Sequence, residues 1–360
     1  MKKSLQFVTL ALVMSMGAAG AFAADSDFPK THIQMIGTSA GSPPWLITET
    51  FWKNISKKTG GKLDASVQSM TELGIKGQEV FRMAKLGVVN IVSSSLAYSS
   101  GDIAENDAVD FTGFVPNLDV MKKAVQAYRP TLEKIYADKL GLKLLGMWPL
   151  AAQVFWCAKP ISGIEDIRGL KVRVSGATRA DIVRSMGGTP TTLPFAEVVP
   201  ALQRKVIDCG ITGTAAGNIA NWTEVTTHLY PLVVAWGMEA QAANLKWWNG
   251  LDPRVQDLIQ EKMDEMAVIG WQQAEAGTNN GIWCSTGDPR CDVTATEPKK
   301  LKKKNLTLVP VSKDDVEKLR KLAIKDALPK FAKRCGKACI ENFNKVLGPI
   351  FGAKAPVPDS

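Results

Sequence analysis

The side chain that most needs a partner in this sequence is that of Arg173. It stands between Val172 and Val174, in a short β-branched run that ends at Gly176. A guanidinium inside an apolar strand is costly unless it is paired, and its planar fork of donors pairs best with a carboxylate. That carboxylate belongs either to an Asp or Glu of the same chain, in a structural ion pair, or to a bound anion. The residues alone leave both alternatives open.

A second candidate for chemistry is Ser39, in the run GTSAG at residues 37–41 between a predicted strand and a predicted helix. Gly-x-Ser-x-Gly in that context is also the nucleophile elbow of α/β-hydrolases, and Asp208 and His228 follow in the chain order of a catalytic triad. The elbow normally follows several strands, whereas this strand is the first after a predicted signal peptide. We therefore predict that the chain is not an enzyme, and an exported serine hydrolase using Ser39 is the alternative.

Strand and helix patterns alternate around Arg173, over residues 164–213. β-branched runs are separated by a segment in which Ala180, Val183 and Met186 recur at helical spacing. This βαβ pattern predicts a parallel sheet in an α/β fold. Open α/β sheets bind ligands at the carboxyl ends of their strands, and Arg173 lies near such an end.

The same region also carries a family resemblance. It contains GLKVRVSG, GGTP and PFAEVVPALQRKVIDCG in that order, starting at Gly169. This order resembles the extracytoplasmic solute-binding proteins of tripartite ATP-independent periplasmic (TRAP) transporters, the DctP-type family. The family pattern is a Gly-x-Lys-x-Arg strand, a Gly-x-x-Pro turn, a Phe-x-Glu helix start and an Ala-Leu-Gln helix before a Val-Asp strand. A weaker resemblance extends from about residue 33 to residue 348.

The resemblance implies a two-lobed periplasmic-binding-protein fold, type II-like, with a hinge and a long helix that spans both lobes. We expect lobe I at residues 24–147 with about 237–270, lobe II at 148–236 with about 281–345, and the long helix at 253–280. The crossings near residues 147–150 and 235–237 are the expected hinge. Residues 349–360 include a Pro-rich end and are expected to be disordered.

The resemblance also implies a function. The protein would capture an organic acid anion outside the cytoplasm and deliver it to a TRAP-type permease, as a monomer, without cofactor, metal or nucleic acid. Arg173 would hold the carboxylate, Gln153 and Thr212 would orient it, and Trp236 with Phe155 would pack on the remainder. The further ligand-binding candidates are Ser39, Ser94, Ser95, Thr214 and Asn218.

Two departures from the family pattern bear on the ligand. Many relatives carry Gly-x-Arg where this chain has residues 151–153 with Gln153, so a neutral amide replaces a second cation. Where the family often places Glu-Asn, this chain has Ile211 and Thr212. Together with the aromatic content, the missing cation favours a monocarboxylate, aromatic or a 2-oxo or 2-hydroxy acid, over a simple dicarboxylate.

Residues 1–23 have the composition of a secretory signal peptide: Lys2 and Lys3, an apolar core, and Ala21-Phe22-Ala23 as a cleavage site. We therefore expect export to the periplasm and cleavage after Ala23. The formal charge of the whole chain is +9 at pH 7. Much of the basic excess lies in five lysines at residues 299–304 without interleaved aromatics, which is typical of a solvated loop rather than a nucleic-acid site.

Six cysteines in an exported chain favour disulfides. Spacing alone does not select among the possible pairings. Two pairs bracket short loops, and a third lies in two different predicted strands that would have to be neighbours. The predicted pairs are Cys284–Cys291, Cys335–Cys339 and Cys157–Cys209. Zinc is the alternative for the close pairs, but the chain has only two histidines.

Overall fold

The structure, a computed structural model, describes residues 29–296 and 299–359 of the 360-residue chain. The predicted signal peptide and its cleavage site lie outside the described residues. The strands are β1 (Thr31–Gly37), β2 (Leu63–Ser69), β3 (Ile91–Ser95), β4 (Leu142–Pro149), β5 (Gln153–Cys157), β6 (Lys171–Val174), β7 (Thr189–Thr192), β8 (Cys209–Gly213), β9 (His228–Ala235), β10 (Met238–Asn244) and β11 (Thr307–Leu308).

Helices connect most of these strands along the chain. They are α1 (Pro43–Lys53), α2 (Ile55–Lys58), α3 (Gly77–Lys85), α4 (Leu118–Ile135), α5 (Ala177–Ser185), α6 (Val198–Gln203), α7 (Thr214–Ile219), α8 (Leu245–Asn249), α9 (Pro253–Thr286), α10 (Lys313–Leu322), α11 (Leu328–Cys335), α12 (Lys337–Val346) and α13 (Gly348–Phe351). None of the helices in the described part of the chain is long and apolar enough to cross a membrane.

The strands form two mixed sheets. The first sheet has the order β2-β1-β3-β10-β4 and the second has the order β11-β9-β5-β8-β6-β7. In the second sheet β6 pairs in parallel with both β7 and β8, so the βαβ prediction around Arg173 is confirmed. The chain passes from the first sheet to the second after Pro149 and returns after Ala235. The predicted two-lobed α/β fold is confirmed, whereas the exact lobe ranges stay a prediction.

The helix α9 joins the two halves of the molecule. Its N-terminal half buries Val255, Ile259, Met263 and Met266 in the core of the first sheet. Its C-terminal half presents a stripe of small residues, Gly270, Ala274, Gly277 and Gly281, which are also buried. A Cβ at Gly281 would lie 2.5 Å from the backbone nitrogen of Ala215 in α7. The glycine therefore lets α7 approach the long helix at backbone distance.

Part of the segment predicted to be a disordered tail, residues 349–360, packs against the rest of the chain. Gly348–Phe351 forms a short helix, and Phe351 is buried against Phe343, with ring centroids 6.1 Å apart. Beyond it, the Ala355 N–H donates to Asn344 Oδ1 at 2.7 Å, and Asn344 Nδ2 donates to the Ala355 carbonyl at 2.8 Å. The Pro-rich composition favoured disorder, whereas the buried aromatic side chain of Phe351 anchors the start of the segment.

The three predicted disulfides are confirmed, and no cysteine of the described residues is left free. Cys157 and Cys209 face each other on the paired strands β5 and β8. The Cα–Cα distances are 4.1 Å for Cys157–Cys209, 4.7 Å for Cys284–Cys291 and 5.5 Å for Cys335–Cys339.

Candidate functional site

A cavity of about 80 Å³ lies where the strand ends of the two sheets meet the middle of α9. The first sheet and its connections contribute Ser39, Ser95, Tyr98, Trp148 and Glu239. The second sheet and its connections contribute Gln153, Arg173, Arg179, Phe195 and Thr212. The helix contributes Gly270, Gln273 and Ala274. The cavity is thus shared between the two halves of the molecule.

Arg173 is the most constrained group of the cavity. Its side chain is 2 % exposed, Nε donates to the Leu193 carbonyl at 3.0 Å, and Nη1 donates to the Ile211 carbonyl at 3.0 Å. Nη2 has no hydrogen-bond partner, and no carboxylate of the described residues forms an ion pair with the guanidinium. Burial lowers the pKa of Arg173, but an arginine stays charged. The structural ion pair considered from the sequence is therefore absent from the described part of the chain.

The pairing of β6 explains the position of this guanidinium. Arg173 lies beside Gly210 of β8, and a Cβ at Gly210 would lie 2.6 Å from the Trp222 ring. The glycine therefore makes room for the indole, whose ring centroid lies 5.9 Å from Arg173 Cζ. The aromatic ring and the two carbonyls hold the fork in one orientation.

A second guanidinium, that of Arg179, lines the same cavity and was missed by the sequence analysis. It lies in the first turn of α5, where Nη1 donates to Ser175 Oγ at 3.1 Å and Nη2 donates to Asp110 Oδ2 at 3.1 Å. Asp110 also accepts from the Trp236 N–H at 2.9 Å and the Gly237 N–H at 2.6 Å. Burial raises the pKa of Asp110, and Arg179 opposes this rise. The cavity therefore does have a second cation, but a buried carboxyl already compensates it.

Glu239 is the acidic group of the cavity, and it was also missed. The pairing of β10 places it directly opposite Ser95 of β3 and Trp148 of β4, so these three residues form a row on one face of the first sheet. It is fully buried, Oε1 accepts from Ser93 Oγ at 2.8 Å, and Oε2 has no partner among the described residues. Burial raises the pKa of Glu239 to about 8, with the Ser93 hydroxyl opposing the rise. A charged residue inside the strand MEAQAAN was the available signal.

Five of the predicted site residues line the cavity: Arg173, Gln153, Thr212, Ser39 and Ser95. Gln153 is held firmly, because Nε2 donates to the Ala151 carbonyl at 2.9 Å and to the Trp236 carbonyl at 3.0 Å. Its amide group thereby connects the two crossings between the sheets. Ser39 is 2 % exposed, and its hydroxyl has no partner among the described residues.

The predicted aromatic contacts, Phe155 and Trp236, do not line the cavity. Phe155 lies two residues after Gln153 in β5. Its ring stacks on that of Tyr230 in the core, with ring centroids 6.0 Å apart. Trp236 is buried with Nε1 donating to the Val115 carbonyl at 3.0 Å. The aromatic walls of the cavity are Trp148 and Phe195 instead.

Three predicted polar residues also lie outside the cavity. Ser94 alternates with Ser95 along β3, so its side chain is buried on the other face of the sheet. The Thr214 hydroxyl donates to the Gly277 carbonyl at 3.0 Å. Asn218 Nδ2 donates to Ser285 Oγ at 2.9 Å and to the Lys302 carbonyl at 2.8 Å. Thr214 and Asn218 therefore fasten α7 to α9 and the following segment.

Comparison with known proteins bears out the resemblance. The model of the bacterial extracellular solute-binding proteins of family 7, DctP, matches residues 36–320. The chain belongs to this family. The relatives and solved structures that the chain matches are solute-binding proteins and not enzymes.

Two of the curated relatives are named for the ligand that they bind. The chain is 27 % identical to the ectoine-binding periplasmic protein TeaA of Halomonas elongata over 54 % of this chain and 58 % of that protein. It is 30 % identical to the C4-dicarboxylate-binding periplasmic protein DctP of Vibrio cholerae over 63 % of this chain and 68 % of that protein. The chain thus spans under two thirds of the length of TeaA.

Solved structures of the family share the fold. DctP7 of Bordetella pertussis, an extracytoplasmic solute receptor binding pyroglutamic acid, has a TM-score of 0.76 at 20 % identity and covers 88 % of this chain and 99 % of that one. The ectoine-binding protein of the TeaABC TRAP transporter of Halomonas elongata has a TM-score of 0.76 at 18 % identity. The match covers 90 % of this chain and 100 % of that one.

The serine hydrolase alternative is wrong. Asp208 lies away from Ser39, pairing with Lys159 at 2.8 Å and accepting from the Lys171 N–H at 2.9 Å. The His228 ring contacts the Thr227 hydroxyl at 2.8 Å at the start of β9. The three residues therefore form no triad. The described residues also contain no group of three or more histidine, cysteine, aspartate or glutamate side chains placed to hold a metal ion.

Proposed function

We propose that this protein captures a small organic acid anion by its carboxylate outside the cytoplasm and delivers it to the permease of a TRAP transporter. The proposal includes periplasmic export with cleavage after Ala23 and a monomeric mature protein. The observation that carries it is the guanidinium of Arg173, which is buried, held in place by two carbonyls, and left with a free Nη2 at the cavity. A bidentate anion is the natural partner for such a group.

The printed ligands of similar proteins support this chemistry. The DctP7 structure holds pyroglutamic acid, another TRAP solute-binding protein from Desulfovibrio salexigens holds orotic acid, and the Vibrio cholerae relative binds C4-dicarboxylates. Each of these ligands carries a carboxylate. In this chain Arg179 is already compensated by Asp110, which favours one carboxylate over two.

The cavity residues take different parts in the proposed capture. Arg173 holds the carboxylate, and the hydroxyls of Thr212, Ser39 and Ser95 surround it. Gln153 braces the two crossings, because its amide nitrogen is already engaged by two carbonyls. Trp148 and Phe195 pack on the remainder of the ligand, in place of the two aromatic residues expected from the sequence.

Because both sheets line the cavity, a ligand that touches both stabilises the closed arrangement of the two halves. The permease would then recognise the closed form. Small-angle scattering with and without a confirmed ligand tests this part: saturating ligand should reduce the radius of gyration. An unchanged radius, with no closed population in the free protein, would contradict the closure model.

A thermal-shift screen of the mature protein against a library of organic acids tests the proposal. A ligand at about 100 times its Kd should stabilise the protein by about 2.7 kcal/mol. Arg173→Lys should lose most of the affinity in calorimetry, because an ammonium does not reproduce the planar fork. Arg204→Lys, at an exposed position after α6, is the matched control and should bind like the wild type. If no acid binds, carboxylate capture is wrong; if Arg173→Lys binds normally, Arg173 is not the anchor.

A further inference from the structure

The carboxyl of Glu239 is a cavity group without a structural explanation. It lies at the centre of the row formed with Ser95 and Trp148, and all three line the cavity. A buried polar atom normally has a hydrogen-bond partner, and an exception needs an explanation, such as a water, an ion or a bound ligand. Here Ser93 satisfies Oε1, whereas Oε2 is buried and has no partner among the described residues.

The charges of the cavity are separated between its two sides. On the second sheet, Arg179 is neutralised by Asp110, and Arg173 has no acidic partner in the described part of the chain. On the first sheet, Glu239 forms no ion pair with a lysine, arginine or histidine of the described residues. The cavity therefore offers one uncompensated cation and, facing it from the other sheet, one uncompensated acid.

A purely structural role does not account for this acid. Burying a carboxyl without full hydrogen bonding costs free energy, and an amide or a hydrocarbon of similar size would fill the same space at lower cost. A ligand that donates a hydrogen bond to Oε2 would remove this cost on binding. Complementary charge at two ends of one site also fixes the orientation of the ligand.

Building on the proposed function, we infer that the ligand bears a protonated nitrogen as well as a carboxylate, and that Glu239 Oε2 accepts a hydrogen bond from that nitrogen while Arg173 holds the carboxylate. The ligand class is a compact amino or imino acid. Any proton that Glu239 carries in the free protein passes to solvent on binding, so that the bound pair is a carboxylate with an N–H cation. A neutral ligand acceptor, to which a protonated Glu239 would donate, is the opposite outcome.

Matched trios of acids test the inference, because their members differ only in the group next to the carboxylate. One trio is alanine, lactate and propionate, and a larger one is phenylalanine, phenyllactate and phenylpropionate. They are added to the organic acid library, together with proline and cyclopentanecarboxylate as a ring pair, and the binders are measured by calorimetry. We expect the nitrogen-bearing member of the binding set to be tighter by about tenfold or more than its oxygen or carbon analogue.

Glu239→Gln assigns that preference to the acid. The variant keeps the shape of the side chain, and its unliganded melting temperature shows whether it folds. It should reduce the preference for the nitrogen-bearing ligand to about threefold or less, measured as the ratio of the two affinities in the same variant. The matched control is Glu105→Gln, another buried carboxyl, which pairs with Lys139 at 2.6 Å away from the cavity and should keep the preference.

A pH profile separates a direct contact from a packing effect. The titratable groups around Glu239 are Tyr98 of the same cavity, Tyr136, whose burial raises its pKa above the usual range, and Arg173 and Arg179 on the other sheet. Asp110 and Asp107 lie beside Arg179, and burial raises the pKa of Asp107 to about 6. The profile is therefore read above about pH 7, where the carboxyl of Asp107 is already ionised. Affinity for the nitrogen-bearing ligand should rise from about pH 7 to about pH 8.5 in the wild type and be flat in Glu239→Gln, because the ammonium of a free amino acid stays mostly protonated over this range.

The outcomes distinguish this inference from the proposed function. If acids bind through Arg173 but the oxygen or carbon analogues are equal or tighter, or if Glu239→Gln leaves the preference and the pH profile unchanged, the inference is wrong and carboxylate capture stands. If affinity falls as the pH rises, Glu239 donates to a neutral ligand and the inference is likewise wrong. If no acid binds at all, both fail.

Discussion

Two buried arginines face the same cavity from the second sheet, and their surroundings differ in one respect. Arg179 contacts a carboxylate, that of Asp110, which in turn accepts from two backbone N–H groups at the return crossing. Arg173 contacts two carbonyl oxygens and the Trp222 ring, and no carboxylate of the described residues pairs with it. An arginine paired with a carboxylate of the chain stabilises the fold, whereas an arginine without such a partner can bind an anion.

The strongest test of this comparison is Arg179→Ala. It leaves the Asp110 carboxyl buried without its cation, and removing one partner of a buried pair costs about 3–5 kcal/mol. Urea unfolding of the unliganded protein measures the change. Arg184→Ala in the same helix is the control and should cost about 1 kcal/mol or less, because the Arg184 side chain is 56 % exposed and its buried partner Asp181 keeps Arg334 at 2.7 Å. Equal losses in both variants would contradict the structural role of Arg179.

Arg173→Ala should show the reverse profile. We expect binding of a confirmed acid to weaken by about 2–5 kcal/mol, because the ligand carboxylate loses its charge-assisted partner. Stability of the free protein should change less than in Arg179→Ala, since no buried carboxylate is left unpaired. Calorimetry and urea unfolding on the same preparation provide both values. A variant that unfolds as readily as Arg179→Ala would show that the two arginines do not differ in role.

Asp110→Asn makes Arg179 resemble Arg173. The amide oxygen still accepts from a backbone N–H, but the guanidinium loses its compensating charge, and we expect a stability loss of about 1–3 kcal/mol. Affinity for a confirmed anion should increase, because a second open cation then faces the cavity. Decreased anion affinity, measured by calorimetry in the folded variant, would indicate that Asp110 shapes the site rather than neutralising it.

Glu239 of the first sheet should contribute to the pH dependence of the free energy of unfolding. The folded-state pKa of Glu239 is raised to about 8, so the folded protein holds a proton that the unfolded chain releases at lower pH. Its contribution is therefore fully present below about pH 4.5 and is lost as pH rises through about 8, with a slope of up to about 1.4 kcal/mol per pH unit. Asp107, with a pKa raised to about 6, acts in the same direction at lower pH.

Glu239→Gln isolates that contribution. Between about pH 6 and pH 8 the free energy of unfolding of the wild type should decrease relative to that of the variant. Unfolding in urea at several pH values, without ligand, measures the difference. Parallel curves for the two proteins over that range would mean that Glu239 titrates normally in the folded state.

Much of the fold followed from local patterns. The alternation of β-branched runs with helical spacing gave the parallel pairing of β6 with β7 and β8, and apolar spacing gave α9, which extends to Thr286 rather than residue 280. These features depend on neighbours along the chain. The cost of burying a guanidinium in a strand was enough to single out Arg173.

The rest of the site depends on which face a side chain occupies after packing. Phe155 and Trp236 are near the cavity in sequence, yet they fill cores, because large apolar groups are placed by the packing of the whole sheet. Arg179 reaches the cavity from a helix, where its position depends on how α5 lies against the loop that carries Asp110. Glu239 is different: the reasoning applied to Arg173 would have identified it from sequence.

The Cys157–Cys209 bond gives the Arg173 segment a particular topology. It joins residues 52 positions apart, and everything between them, including β6, α5 and β7, forms a covalent ring. A protease that cuts once inside this ring yields two pieces that stay attached through the sulfur atoms. In the oxidising environment proposed for the protein, a nicked receptor would thus keep its anion anchor, and the fragment would separate only after reduction.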